Sequence, residues 1–238
     1  MIIEFRITPQ FFAGYFTLGL IKRTTFHYII LAAAIGFLIG RYRAYSLQNS
    51  LQNSLQNRGE ALLRRVIQSN FPAPDYHLLN NVTLRLHDGT TQVDHVLVSR
   101  YGVFVIETKD YKGWIFANPK HANWTQVIFM QKFQFQNPVF QNLRHIRAVK
   151  LSLDFLPPEA IRSVVVFTGE AEFITPVPDG VFDLSKFIEY IRSHTEVMLS
   201  ENRVHFSVGR LEATRLALTR KTDIEHVQDL RRRHGGVD

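Results

Sequence analysis

The chain of 238 residues contains no cysteine, and it is short of acidic residues in its first 45 positions. Without thiols the protein has no disulfide scaffold, no thiolate zinc ribbon and no cysteine nucleophile. The G-x-x-x-x-G-K-[ST] loop that binds nucleotide phosphates is also missing. Hydrophobic residues make up 45% of the chain and charged residues 21%, which predicts a globular body with a sizeable core.

The net charge of +7 is unevenly distributed along the chain. Residues 1–45 are net +4, residues 46–155 are net +5, and residues 156–238 are net −2. Such an excess suggests an anionic partner for the first two thirds, either membrane lipid or nucleic acid. Ordinary solubility is the simpler interpretation, and composition alone does not separate them.

An uncharged and mostly apolar run, Thr24–Gly40, lies between basic residues at Lys22-Arg23 and at Arg41. As a helix it would be about 25 Å long, which is the short end of what crosses a bilayer. We therefore predict a membrane segment over residues 1–45 with a transmembrane helix at about 24–40; a buried core helix is the alternative. Basic residues after the run favour a single-pass membrane protein with a cytoplasmic C-terminal domain.

The tetrapeptide SLQN occurs three times within residues 46–57, which predicts a linker. Hydrophobic periodicity then predicts a core over 58–168 and a helical region over 169–238 that completes or flanks it. The order of elements is typical of an α/β sandwich with a mixed sheet. In chain order we predict a helix at Glu60–Asn70, strands at Tyr76–Leu86, Gln92–Ser99, Gly102–Lys109 and 113–116, a helix from Pro138 to about Phe155, a strand at Arg162–Thr168, and helices at Leu184–Arg192, Gly209–Leu218 and Asp223–Arg233.

The second and third strands are predicted to form a hairpin that carries polar residues at one end. A two-residue turn after Ser99 would bring Asp94 opposite Glu107. The same register would place Gln92 opposite Lys109 on the same face. A three-residue turn would shift the register by one and separate the two carboxylates.

Two carboxylates beside an apolar core repel each other and resist ionisation unless a cation neutralises them. Oxygen ligands of this kind suit Mg²⁺ or Mn²⁺. A salt bridge between a carboxylate and Lys109 at the sheet end explains the same pattern, so both interpretations stay open.

Three segments, taken in order, resemble the nuclease-related domain (NERD) family, a branch of the PD-(D/E)xK nuclease superfamily. The similarity covers about Gly59–Leu153 and implies a restriction-endonuclease-like α-β-β-β-α-β core. The segments are Gln92–His95 (QVDH), Gly102–Lys109 (GVFVIETK) followed by Lys112-Gly113, and Asn137–His145 (NPVFQNLRH).

The resemblance implies a role for each residue of the hairpin site. Asp94 and Glu107 match the acidic metal ligands, and the backbone carbonyl of Thr108 would be a third ligand. Lys109 matches the lysine that orients or deprotonates the attacking water, and Glu60 matches an acidic residue on the first helix. Mg²⁺ (or Mn²⁺) in such a site polarises a phosphate and lowers the pKa of bound water.

Three further residues are candidates for supporting the site or touching substrate. Gln141 and His145 lie one helical turn apart and could orient water or phosphate, although a helix-to-sheet hydrogen bond is an equally good interpretation. Gln92 is a third candidate beside the carboxylates. His95 and Trp124 are predicted to be structural rather than functional.

The expected function is hydrolysis of phosphodiester bonds in nucleic acid, with DNA the favoured substrate, by a membrane-anchored and metal-dependent nuclease-like protein. The alternative is a catalytically inactive nucleic-acid-binding or adaptor module on the same fold. A structural protein whose basic N-terminus binds lipid is a second rival. Basic side chains that could follow a phosphate backbone are Lys112, Lys120, Lys132, Arg144, Arg147 and Lys150.

Overall fold

A computed structural model describes residues 28, 30–31, 33–43 and 57–217 of the protein. The chain divides into two compact units, residues 1–53 and 54–238. In the first unit the described residues are helical. Among the described residues, no helix combines the length and the apolar character needed to cross a membrane. The predicted span at 24–40 and the predicted linker at 46–57 lie partly outside those residues.

The second unit contains helices and strands arranged as two sheets with flanking helices. In chain order the described elements are α1 (57–70), β1 (Tyr76–Leu86), β2 (Gly89–Ser99), β3 (Gly102–Lys109), β4 (Gly113–Phe116), β5 (Asn123–Ile128), β6 (Gln131–Gln136), α2 (Pro138–Ser152), a 3₁₀ turn (Pro158–Ala160), β7 (Ile161–Phe167), β8 (Ala171–Phe173), β9 (Val181–Asp183), α3 (Leu184–Ser193) and α4 (Glu201–Thr214).

The main sheet has the strand order β1-β2-β3-β7-β9. Strands β1, β2 and β3 are antiparallel neighbours, whereas β7 and β9 join in parallel. The sheet is therefore mixed, and the α/β fold class predicted from the sequence is confirmed. Strand β3 lies at the centre of the sheet, and all eight of its residues are buried.

Helices cover both faces of the main sheet, as the apolar character of β3 on both faces predicts. Val103 and Val105 pack with α2 and α4 on one face. Phe104 and Ile106 pack with α1 and α3 on the other face. This alternation places the next residue, Glu107, on the face that α2 covers.

A second sheet with the order β6-β5-β4-β8 was not predicted beyond the short strand β4. Strand β6 (QKFQFQ) alternates phenylalanine with glutamine, and Trp124 of β5 lies between polar residues, so neither strand has a continuous apolar pattern. Trp124 is 1% exposed and packs between this sheet and Phe167 of the main sheet, so its predicted structural role is confirmed. Residues 169–217 supply β8 and β9 to the two sheets as well as α3 and α4.

Several predicted boundaries differ from the structure, among them those of β2 and α4. Strand β2 begins at Gly89 rather than Gln92, because Gly89 closes the turn with Leu86. Helix α4 covers Glu201–Thr214 rather than 209–218, and its start is capped by Ser200, whose side chain accepts a hydrogen bond from the Arg203 amide. The predicted helix at 223–233 lies outside the described residues.

Candidate active site

Both β1 and β2 are irregular at the position where Asp94 lies. Val93 and Val96 pack into the same core cluster although they are three positions apart, so β2 changes face between them. In β1 the residue directly across from Asp94 is Asn81, which has a left-handed backbone (φ +53°). Asparagine tolerates this conformation, and such breaks often re-aim a side chain.

The β2–β3 hairpin has the predicted register, with Ser99 opposite Gly102 and His95 opposite Ile106. The ladder ends there, although the other edge of β3 stays paired with β7 up to Lys109. The predicted cross-strand pairs of Asp94 with Glu107 and of Gln92 with Lys109 are therefore wrong as ladder pairs.

Asp94 nevertheless lies next to β3. Its Oδ2 accepts a hydrogen bond of 2.8 Å from the backbone amide of Thr108. The side chain thus occupies the gap that opens between the two strands, where a regular ladder would have placed a backbone carbonyl. We call the place where β2 and β3 separate, around the Asp94 carboxylate, the cleft.

Glu107 is fully buried and is bonded through both carboxylate oxygens. Lys109 Nζ lies 2.6 Å from Oε1, and His145 Nε2 lies 2.9 Å from Oε2. Gln141 Oε1 accepts a second bond of 3.0 Å from Lys109 Nζ. Thr91 Oγ1 lies 2.7 Å from His145 Nδ1, so a continuous chain of polar contacts joins β2, β3 and α2.

The pKa values of the Asp94 and Glu107 carboxyl groups are shifted in opposite directions. Burial, followed by repulsion from Glu107 and Glu60, raises the pKa of Asp94 well above its ordinary value of 3.8. Burial also opposes ionisation of Glu107, but the Lys109 ammonium and the hydrogen bond from His145 outweigh it and lower the pKa of Glu107. Burial by itself would lower the pKa of Lys109, but Glu107 and other negative groups beside the ammonium raise it above its ordinary value.

Helix α2 is attached to the sheet in a way that holds Gln141 and His145 over Glu107 and Lys109. Asn137 caps the helix by accepting a 2.9 Å bond from the Val139 amide. One turn further on, the buried Nδ2 of Asn142 lies 2.9 Å from the Val105 carbonyl of β3 and 3.0 Å from a β7 carbonyl.

Helix α1 brings Glu60 to the same cleft, and Gly59 makes the approach possible. A Cβ atom at Gly59 would lie 2.6 Å from Thr168 Oγ1 and 2.7 Å from the Cβ of Asp110. Arg58 forms an ion pair of 3.1 Å with Asp110 at the same junction. The start of α1 is therefore packed directly onto the residues that follow β3 and β7.

Three other predicted residues, Gln92, His95 and Arg144, have partners outside this network. Gln92 is half-buried opposite Thr83 of β1. His95 is buried with its Nδ1 2.7 Å from Asn80 Oδ1, and burial lowers its pKa to about 4, which agrees with a structural role. Arg144, predicted on a phosphate track, instead forms a two-pronged ion pair with Asp88.

Three supporting residues were not predicted: Thr91, Asn142 and Gly59. Thr91 lies beside one of the segments that carry the family resemblance, and Asn142 lies inside another. The sequence therefore contained a signal that these two residues support the site. Gly59 precedes the acidic residue of α1, and only the packing against Thr168 and Asp110 explains it. Within the part of the chain that the structure describes, no three His, Cys, Asp or Glu side chains are grouped closely enough to hold a metal ion.

Comparison with known proteins agrees with this architecture. The nuclease-related domain family matches residues 55–168, which includes α1, β1–β6, α2 and β7. An uncharacterized protein of Bacillus anthracis is 38% identical over 157 residues, covering 61% of this chain and 70% of that protein. The chain belongs to the nuclease-related domain family, within the PD-(D/E)xK-like nuclease group.

Proposed function

We propose that the protein is a membrane-anchored, divalent-metal-dependent nuclease that hydrolyses phosphodiester bonds of nucleic acid, with DNA the expected substrate. One observation carries the proposal: Asp94, Glu107 and Lys109 converge where β2 and β3 separate. Membership of a nuclease-related family supports the same chemistry.

The donors at this cleft suit Mg²⁺ (or Mn²⁺). Burial, and then repulsion from Glu107 and Glu60, raises the pKa of Asp94, so the Lys109 ammonium does not offset the cost of ionising Asp94. The carboxylates of Asp94 and Glu107, with the Thr108 backbone carbonyl, would hold the ion after Glu107 exchanges one of its present bonds. When bound, it would neutralise charge on a phosphate oxygen and lower the pKa of a bound water.

Lys109 acts as a fixed cation rather than as a base in this proposal. Its raised pKa keeps the ammonium protonated at neutral pH, so it can orient water and offset the charge that develops on the phosphorane. Gln141 holds the ammonium from the helix side, while His145 orients the Glu107 carboxylate. Thr91 in turn sets the orientation of the His145 ring.

A groove of about 620 Å³ lies along the outer side of α1 and reaches Asp110, the residue that follows Lys109. We call it the basic groove, because the cations Arg58, Arg65 and Lys112 line it together with the acids Asp110 and Glu170. Asp110 is paired with Arg58, which leaves net positive charge facing solvent. A phosphate backbone following this groove would pass the start of α1, where Glu60 lies.

The test is a cleavage assay on the purified full-length chain, with DNA and RNA substrates and with Mg²⁺ or a chelator. We expect cleavage only with the metal, and we expect Asp94→Ala to reduce the rate by at least about 10²-fold, as loss of a key electrostatic group does in other enzymes. Asp154→Ala is the matched control, because Asp154 is an exposed acid near α2. Cleavage that persists in Asp94→Ala or in chelator would contradict the proposal.

One observation favours a second candidate, a nucleic-acid-binding module without catalysis. Glu107 is fully buried and both of its oxygens already have partners, as in a structural ion pair. This candidate predicts salt-sensitive binding that Asp94→Ala does not change, with no cleavage under any metal.

The membrane anchor and the cytoplasmic position of the C-terminal domain rest on the apolar run at 24–40 and on its basic flanks. We expect the full-length chain to sediment with membranes after a high-salt or carbonate wash. Protease added outside intact cells should leave the C-terminal domain uncut. Release by salt alone would contradict the anchor, and cleavage from outside would contradict the orientation.

A further inference from the structure

The tip of the β5–β6 hairpin presents two apolar side chains to solvent. Phe129 is 90% exposed and Met130 is 96% exposed, and they form the two-residue turn between Ile128 and Gln131. Both have positive φ, at 47° and 64°. Turns of this geometry strongly prefer Asn-Gly, so Phe-Met is a poor choice for the stability of the hairpin and points to a role in contact.

A cavity of about 450 Å³ lies beneath this tip. Trp114 of β4 forms one side of it and is 52% exposed. The indole Nε1 donates a 3.1 Å hydrogen bond to Glu172, which holds the ring in place. We call this cavity the aromatic pocket, and it has an oriented indole face on one side and the hairpin tip on the other.

The aromatic pocket adjoins the basic groove, since Lys112 and Glu170 line both. Lys132 lies on the hairpin two residues beyond Met130. Around the pocket Lys112 and Lys132 are balanced by Glu170 and by Glu172, which accepts the Trp114 bond. The pocket is therefore close to neutral, as suits the face of a base, and the excess positive charge lies in the basic groove that it adjoins.

We propose that the aromatic pocket receives an unpaired base of a single nucleic-acid strand whose phosphates follow the basic groove. The indole of Trp114 provides the stacking surface, and Phe129 and Met130 cover the base from the side of the hairpin tip. This inference rests on the part of the proposed function that names nucleic acid as the ligand. Continuity with the groove beside the cleft favours nucleic acid over a lipid surface.

The protein has only two tryptophans, and Trp124 is buried, so Trp114 is a built-in fluorescent reporter. The experiment titrates the full-length Asp94→Asn variant, in which hydrolysis is expected to be blocked, with a single-stranded oligonucleotide and with the matching duplex. We expect the oligonucleotide to quench the exposed tryptophan and to bind more tightly than the duplex.

The decisive variant adds Phe129→Asn and Met130→Gly to that background. Asn-Gly suits the turn, so the hairpin should melt no lower than before while the affinity for the single strand falls about 5- to 100-fold. The matched control is Val197→Asn, which changes an exposed apolar residue in the loop before α4 and should leave the affinity unchanged.

Three results would overturn the inference. One is an unchanged affinity in the Asn-Gly variant, and another is a preference for the duplex over the single strand. The third is quenching by vesicles of phosphatidylcholine and phosphatidylglycerol without quenching by oligonucleotide, which would assign the hairpin tip to a lipid surface. A wild-type chain that binds in this way but never cleaves would contradict the nuclease proposal and leave the pocket intact.

Discussion

Among single residues, Glu107 is central to the site, because its fully buried carboxylate contacts both Lys109 and His145. Glu107 is ionised because Lys109 and His145 offset the cost of burial. A charge that remains in the core after its partner is removed costs far more than an exposed one. The three groups therefore act as one unit, and each supports the position of the others.

Lys109→Met tests this unit. The change keeps most of the side-chain volume but leaves Glu107 with one partner, so we expect the free energy of unfolding to fall by about 3–5 kcal/mol. Urea denaturation at neutral pH measures it. The matched control is Lys186→Met, since Lys186 lies 3.7 Å from Asp183 in an exposed pair and should cost less than about 1 kcal/mol. Equal costs for the two variants would contradict a tightly coupled buried unit.

Ionisation of Asp94 lowers the stability of the fold, whereas ionisation of Glu107 raises it. Its folded pKa is raised, so the ionised side chain destabilises the fold, and the cost appears as the pH rises from its ordinary value of 3.8 through the folded pKa. In chelator we expect Asp94→Asn to raise the unfolding midpoint at pH 7 and to have little effect near pH 3. The asparagine oxygen can still accept the bond from Thr108.

Thermal unfolding of wild type and Asp94→Asn across this pH range checks the prediction. Glu107→Gln is the contrast, because the pKa of Glu107 is lowered and its ionised form stabilises the fold above its ordinary value of 4.5. That stability is lost as the pH falls through the folded pKa. A destabilising effect of Asp94→Asn at pH 7 would contradict the prediction that the ionised Asp94 side chain destabilises the fold.

At the scale of elements, the site depends on where α1 and α2 meet the main sheet. The cap at Asn137 and the anchor at Asn142 hold α2 so that its polar face lies over β3. The contact of Gly59 with Thr168 and Asp110 does the same for α1. Strand irregularity adds the third requirement, because Asp94 reaches Thr108 only where β1 and β2 change face.

Gly59→Ala should move the start of α1 and displace Glu60. A Cβ atom there would approach Thr168 Oγ1 to 2.6 Å, so we expect a loss of about 1–3 kcal/mol in stability together with reduced cleavage. Gly209→Ala is the matched control in α4, since nothing lies within 4 Å of its added Cβ. There the helix should gain about 0.5–1 kcal/mol. Denaturation curves for both variants measure the difference, and a neutral Gly59→Ala would show that α1 is not tightly seated.

At the scale of the whole molecule, charge is divided between two sites of different sign. The cleft is acidic, and the basic groove beside it would draw in the polyanion that the carboxylates alone would repel. Metal binding at the cleft would relieve the repulsion around Asp94 and so stabilise the fold as a whole.

Mg²⁺ or Mn²⁺ should therefore raise the unfolding midpoint of the wild type relative to chelator, because at 100 times the dissociation constant the ion adds about 2.7 kcal/mol to the free energy of unfolding. Asp94→Ala should abolish the shift, whereas Asp154→Ala should keep it because Asp154 lies at an exposed surface pair. Differential scanning calorimetry with matched ionic strength measures this. An equal shift in all three proteins would indicate binding elsewhere.

Much of the fold follows from hydrophobic pattern. Strands β1 and β3, the mixed sheet and the register of the β2–β3 hairpin agree with expectation, because alternation and turn position act locally. The second sheet was largely missed, since β5 and β6 bury only aromatic residues against the main sheet and have polar residues between them.

Residue types and their order along the chain identify the groups that are available for the chemistry: the acid at 94, the Glu-x-Lys at 107–109, and the Gln and His one turn apart on α2. Their family resemblance follows from residue types and order, which need no three-dimensional information. The contacts among these groups follow from three-dimensional packing. Glu107 bonds to Lys109 and His145, and Asp94 turns to the Thr108 amide, where the pairing of β3 with β2 ends at Ile106 while its pairing with β7 continues to Lys109. That separation depends on packing between distant segments, which local pattern does not encode.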